Sequence, residues 1–249
     1  MITIKSVEEV KKLAVAGAIT ARALDAVQKA IRVGVTTLEL DEIAKDSILS
    51  QNAVPAFLNY GGFPGSICAS INDEIVHGIP NKNRKLEDGD IISIDIGAIF
   101  DGYVGDMART YPVGNVSKEA LDLIETTKNS FYAGLEFCKV GYRLGDVGSA
   151  IQQCAESRGY GVVREYVGHG IGTSMHEEPS VPNYGTAGKG IRLQKGLTIA
   201  IEPMLTMCSY KTIVCDDDWT VKTADGKLAA HHENSIAITD GEPIILTQF

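Results

Sequence analysis

The chain has 249 residues, of which 44% are hydrophobic and 22% charged, and its formal net charge is -9. That hydrophobic share supports a packed core and argues against a disordered chain. The acidic balance, with no long Lys/Arg run, argues against a grip on nucleic-acid phosphates.

The first residues, Met1-Ile2-Thr3-Ile4-Lys5, run straight into a helical pattern without the apolar region of a secretory signal, so a cytoplasmic location is expected. Ser6 with Glu9 reads as a capping box. Val10, Leu13, Gly17, Thr20, Leu24, Val27 and Ile31 follow at three- and four-residue steps, which predicts an amphipathic helix ending near Gly34. Thr36 with Glu39 opens a second helix through about Ser50. Ser117 and Asp146 read as N-caps of helices over residues 118–138 and 147–158.

Strand patterns occupy residues 66–77, 89–113, 162–167, 197–207 and 219–239. The apolar runs 91–100 and 197–207 carry carboxylates and are too short to span a bilayer, so no membrane segment is expected. Cys68, Cys138, Cys154, Cys208 and Cys215 are odd in number, widely spaced and without a C-x-x-C pair, which suggests neither disulfides nor a zinc knuckle, and most are expected to be core thiols. The order helix, sheet, helix, sheet, with no linker-like tract, predicts one α+β domain over residues 1–249, built from two related halves.

Asp101-Gly102 is a strong two-residue hairpin turn between residues 90–100 and 103–113. That turn sets 97 opposite 106 and 95 opposite 108, so Asp95 and Asp106 become diagonal neighbours on one face, within about 8 Å. A lone strand aspartate is ordinarily an edge cap or an ion-pair partner. Two on one face are different, because like charges about 4 Å apart repel by roughly 4 kcal/mol at an effective dielectric of 20. A divalent cation is the simplest remedy.

A second acidic pair lies far along the chain. Glu202 sits in the apolar run Thr198-Ile199-Ala200-Ile201-Glu202-Pro203-Met204, and Glu233 precedes Asn234-Ser235-Ile236-Ala237-Ile238; both are costly to bury unpaired. Of five histidines, His169 and His176 flank a glycine-rich stretch that lets backbone approach a site, and His77 lies in Ile75-Val76-His77-Gly78-Ile79-Pro80. Strand parity sets His231 on the face of Glu233, although a strand histidine is more often a packing or hydrogen-bonding residue than a metal ligand.

Taken in order, His77-Gly78-Ile79-Pro80, Asp95-Ile96-Gly97 with Gly105-Asp106, Gly168-His169-Gly170-Ile171-Gly172, His176-Glu177-Glu178-Pro179, Ile201-Glu202-Pro203 and His232-Glu233 resemble the motifs of type I methionine aminopeptidases over essentially the whole chain. The resemblance implies the pita-bread fold: two pseudo-symmetric αβ halves with a central antiparallel sheet covered by helices. It implies removal of the initiator methionine from nascent polypeptides, with a small second residue preferred.

It further implies two divalent ions, one held by Asp106, His169, Glu202 and Glu233 and the other by Asp95, Asp106 and Glu233. Mostly oxygen donors with one imidazole suit cobalt, manganese, iron(II) or zinc. Glu202 would relay a proton, while His77 and His176 would steady the peptide and the developing oxyanion. Phe57, Tyr60, Phe63, Cys68, Met175 and Trp219 would form the methionine pocket. A flexible thioether at 175, where some relatives carry an aromatic, would loosen that pocket's discrimination slightly.

Expected partners are nascent N-termini and the ribosome near its exit tunnel, with the enzyme a monomer. Two other readings share the pattern. Proline-specific peptidases of the same fold carry a large extra N-terminal domain, and non-catalytic relatives degrade the metal site, whereas every ligand position is filled here.

Overall fold

The computed structural model describes all 249 residues. Helix α1 (Val7–Ala30) opens with the expected capping box, the Ser6 side chain accepting from the Glu9 N–H while Glu9 accepts from the Ser6 N–H. It stops one turn before Gly34 because Ile31 is already extended. The Thr36–Glu39 box likewise starts α2 (Thr37–Ser50). Ser117 caps α3 (Lys118–Leu135).

The start of α4 differs from expectation. The helix runs Leu144–Glu156, and Asp146 is not its N-cap but lies in its first turn. There Asp146 accepts the Arg143 N–H at 2.8 Å and, with its other oxygen, the Gly188 N–H at 2.6 Å. Its carboxylate still satisfies otherwise orphaned donors, but from inside the helix, three residues after the cap.

The strands, in chain order, are β1 (Val54–Pro55), β2 (Ile67–Ile71), β3 (Glu74–Val76), β4 (Ile91–Phe100), β5 (Tyr103–Pro112), β6 (Gly161–Val162), β7 (Gly168–Gly170) and β8 (Glu177–Val181). They continue as β9 (Thr198–Ile201), β10 (Met204–Thr206), β11 (Thr212–Val214), β12 (Val221–Thr223), β13 (Ala229–His231), β14 (Glu233–Ala237) and β15 (Ile244–Ile245). The segments 197–207 and 219–239, each expected as one β-rich stretch, are therefore divided into two and three strands. Nine strands form one antiparallel sheet in the order β1-β4-β5-β14-β9-β7-β8, with β2 also on β4 and β15 on β14. Two three-stranded sheets, β13-β10-β6 and β11-β12-β3, flank it.

Two separate cores explain the two-half architecture. Ile19, Leu24 and Val27 of α1 and Leu40, Ala44 and Ile48 of α2 pack with Ile67, Ile92, Ile94 and Ile96 of β2 and β4. Phe131 of α3 and Val147 and Ile151 of α4 pack with Ile199 and Ile201 of β9 and Ile236 of β14. Each helix pair thus covers its own half of the central sheet, the pita-bread arrangement expected from the sequence.

Helix α1 crosses β5 at van der Waals limit, which glycine alone allows: a Cβ built on Gly105 would lie 2.7 Å from the Gly17 Cα. Gly105→Ala is expected to reduce stability by about 1–3 kcal/mol through overpacking against backbone that cannot yield. Urea unfolding of the two proteins checks this; equal midpoints would show that the crossing has slack.

Candidate metal centre and its pocket

The Asp101-Gly102 turn sets the predicted register, with Gly97 opposite Asp106 and Asp95 opposite Ala108. On the other side of β5, Ala108 is opposite Glu233 of β14. Asp95, Ala108 and Glu233 therefore form one row across three adjacent strands, and Asp106, two residues before Ala108, shares their face. The small Ala108 side chain keeps the space between the two acids open.

The other half repeats this logic. His169 of β7 is opposite Ala200 of β9, and Glu202 follows two residues later. The His169 Nε2 lies 3.7 Å from Asp106 Oδ2 and 3.6 Å from Glu202 Oε1. Asp106, His169 and Glu233 each present a ligand atom within 4.8 Å of the others. Residues distant in the chain thus meet at the middle of the sheet, where the two halves join.

Each of the four acids is buried or nearly so, and burial is the main reason their carboxyls hold protons tightly. Asp95 rises to about 7, with the Ile96 N–H opposing the shift. Asp106 is pushed well up by burial and then by the Asp95 charge. Burial followed by Asp95 and Asp106 raises Glu202; burial followed by Asp106, Glu202 and Asp95 raises Glu233, against the pull of Arg109.

Asp95 Oδ1, Asp106 Oδ1 and Glu233 Oε1 are buried with no hydrogen-bond partner. Native proteins rarely leave such acceptors unsatisfied. Unpaired inward-facing carboxyl oxygens, crowded together beside an imidazole, fit hard divalent cations. His169 is suited to join them: its Nδ1 contacts the Gly170 carbonyl at 2.8 Å, so the ring donates there and turns the Nε2 lone pair towards the acids. Burial keeps it neutral, with its pKa lowered to about 4.

Above the acids lies a cavity of about 220 Å³, whose lining includes all five of these residues, His77, His176 and each of Phe57, Tyr60, Phe63, Cys68, Met175 and Trp219. Phe63 and Trp219 meet edge to face with centroids 5.1 Å apart. Cys68 is opposite Asp95 across β2 and β4, and burial followed by the Asp95 and Asp106 charges pushes its thiol well up. It is a neutral wall group. His77 follows β3 at a φ of 61°, a left-handed conformation unusual for histidine, with its ring edge-on to Tyr166 and Trp219.

His176 stands over His169, with ring centroids 4.3 Å apart, and the Tyr60 hydroxyl lies 2.8 Å from its Nδ1. The loop that carries it is fastened from the N-terminus: Lys5 Nζ lies 2.5 Å from Glu177 Oε2, and the Thr3 hydroxyl donates to the same oxygen at 2.6 Å.

Sequence reasoning missed this tether and the wall residues Val76, Tyr166 and Val167. It also missed Arg109, which donates from beneath to the Asn234 side chain at 2.8 Å and to the Glu233 carbonyl. Strand parity carries a signal for Arg109, which directly follows Ala108 and so falls on the face opposite the acids. Nothing local announces Lys5.

A carboxyl held above its ordinary value binds its proton more tightly when folded, so it favours the folded state at low pH. That contribution is lost as pH rises through the raised values. Chelator-treated protein is therefore expected to melt lower at about pH 8 than at about pH 5.5, with saturating manganese removing most of the difference. Differential scanning calorimetry reads this directly, and a flat melting temperature in the chelated protein would contradict the raised carboxyls.

Residues 11–240 match metallopeptidase family M24. The chain is 53% identical over 247 residues to the methionine aminopeptidase of Clostridium acetobutylicum, covering 99% of both chains. Its fold superposes on the crystal structure of methionine aminopeptidase from Thermotoga maritima with a TM-score of 0.98 and 41% identity, covering 100% of both chains. Prolidase from Pyrococcus horikoshii OT3 is more distant, at a TM-score of 0.79 and 25% identity, and this chain covers only 63% of it. The chain belongs to metallopeptidase family M24, and within that family to the methionine aminopeptidases.

Proposed function

We propose that residues 1–249 form a single catalytic unit that removes the initiator methionine from nascent polypeptides by metal-assisted hydrolysis of the first peptide bond. The observation that carries this reading is the position of the acid cluster at the floor of a largely apolar cavity large enough for one unbranched thioether side chain. Membership of M24 implies divalent metal. Asp106, His169, Glu202 and Glu233 would hold one ion, and Asp95, Asp106 and Glu233 a second, with cobalt, manganese, iron(II) or zinc all suited to the donor set. Four ionised acids and two divalent cations balance in charge.

When bound, such ions acidify water and polarise a carbonyl. The protein's own groups do the rest. Glu202, at 14% side-chain exposure, is open to the cavity and placed to take a proton from the attacking water and return it to the leaving amine. Burial lowers the pKa of both His77 and His176, and the nearby His176 lowers His77 further, so both are neutral donors near neutral pH. They orient the peptide and meet the oxyanion. Phe57, Tyr60, Phe63, Cys68, Met175 and Trp219 receive the methionine side chain and exclude water. A small second residue is preferred in this reading.

Nascent N-termini emerge at the ribosome, so the place of action is the cytoplasm near the exit tunnel, with the enzyme working as a monomer. No helix is long and apolar enough to cross a membrane.

Chelator-stripped protein is expected to release methionine from a methionine-alanine tripeptide when manganese or cobalt is restored, and to leave a proline-second dipeptide without methionine intact. Glu202→Gln is expected to lower kcat by about 10²–10⁴-fold. Cleavage of the proline dipeptide instead would favour the prolidase-like branch, and metal binding without either cleavage would favour a non-catalytic role.

A further inference from the structure

Behind the acid cluster lies a histidine to which the mechanism gives no task. His231, 1% exposed, is the last residue of β13, opposite Met204 of β10. Its backbone is pinned by one hydroxyl: the His231 N–H donates to Thr110 Oγ1 at 2.8 Å, and the Thr110 hydroxyl donates to the His231 carbonyl at 3.0 Å. Neither ring nitrogen has a hydrogen-bond partner. The Nε2 faces two acids at once, lying 3.8 Å from Glu202 Oε2 and 3.8 Å from Glu233 Oε2.

Two observations separate this ring from His169. His169 lines the cavity, whereas His231 does not and stands behind Glu202 and Glu233. The Nδ1 of His169 is engaged by the Gly170 carbonyl, which frees its Nε2 lone pair, whereas the Nδ1 of His231 has no such acceptor. A ligating imidazole nearly always donates its other N–H to a partner, so His231 lacks the support that would turn its Nε2 lone pair towards an ion. With the proton on Nε2, the same ring offers a donor to the carboxylate oxygens that face it.

We propose that His231 is a positioning residue whose Nε2–H steadies the Oε2 atoms of Glu202 and Glu233, leaving the opposite oxygens directed into the metal cluster. For Glu202 that opposite atom, Oε1, is the one 3.6 Å from His169 Nε2. The inference rests on the reading of Glu202 and Glu233 as ligands. It adds that their orientation is imposed from a flanking sheet, β13-β10-β6, rather than by the central sheet, in which Glu233 lies and which Glu202 directly follows. Glu233 Oε1 has no hydrogen-bond partner of its own, and a misdirected rotamer of either carboxylate would weaken binding of the cation.

The test compares His231→Leu, which removes the donor, with His231→Gln, which keeps one on a neutral side chain. Cobalt binding to chelator-stripped protein is measured by calorimetry, alongside the visible spectrum of the cobalt form and kcat and KM for a methionine-alanine tripeptide. Loss of an orienting partner is expected to weaken cobalt binding about 10–100-fold in His231→Leu, and its return to hold His231→Gln within about threefold of wild type. The cobalt spectra of wild type and His231→Gln should coincide, and kcat should fall in His231→Leu with KM little changed.

Cobalt binding by His231→Leu as tight as wild type would overturn the proposal. So would a His231→Gln variant as weak as His231→Leu with an altered spectrum, since that marks direct ligation. If His231→Leu does not fold, as judged by melting of the metal-free protein, His231→Phe supplies the donor-free ring. Wild-type protein that binds no cobalt would instead refute the metal-site reading itself, which separates the two failures.

Discussion

The arrangement depends on mutual repulsion among acids that the fold refuses to separate. Asp95, Asp106, Glu202 and Glu233 are brought together at the floor of one cavity, where ionisation is penalised by burial and, for the last three, by the neighbouring acids. A single buried carboxylate can be neutralised by a proton or an arginine, but four at one point call for concentrated positive charge. Arg109 lies beneath Glu233, yet its guanidinium is engaged by the Ala108 and Glu233 carbonyls and the Asn234 side chain. Arginine therefore does not supply that charge, and a divalent cation, which membership of M24 implies, fits it.

The helices explain how the sheet tolerates this. Each half has a core of its own, α1 and α2 over β2 and β4, α3 and α4 over β9 and β14, and the apolar burial in these cores offsets the cost of the acids. The costly groups lie where the halves meet, on short rows of adjacent strands whose small members, Ala108 and Ala200, leave room beside the acids. Stability is gained away from the site and lost at it, a division typical of functional centres.

Much of this was legible in the residues because the determinants are local. The Asp101-Gly102 turn fixes register, and register fixes which face Asp95 and Asp106 share. The capping boxes at Ser6 and Thr36 mark helix starts for the same reason. Asp146 misled because an aspartate can satisfy the first turn either as the cap or from three residues inside it, and sequence alone does not distinguish the two. The meeting of Asp106 with His169 was not local. It came from the resemblance of ordered motifs, and the strand order supplies its physical basis.

Strand parity was right about the neighbourhood of His231 and wrong about its continuity, because His231 and Glu233 belong to different sheets, divided at His232. A matching break falls at Glu202 and Pro203, where the chain leaves β9 of the central sheet for β10 of the flanking one. The two crossings are stitched together: the His232 N–H donates to the Pro203 carbonyl at 3.1 Å, and Met204 is paired with His231. On the same stretch, the Glu202 carbonyl accepts from the Asn183 side chain at 3.0 Å. A strand inside a single sheet can slide along its neighbour and carry its side chains to the wrong face. Here a slip of β9 against β14 would also have to shear β10 from β13, so each sheet serves as a ratchet stop for the other. The spacing of Glu202 and Glu233 is thereby set by a corner in the chain as well as by the pairing of β9 with β14.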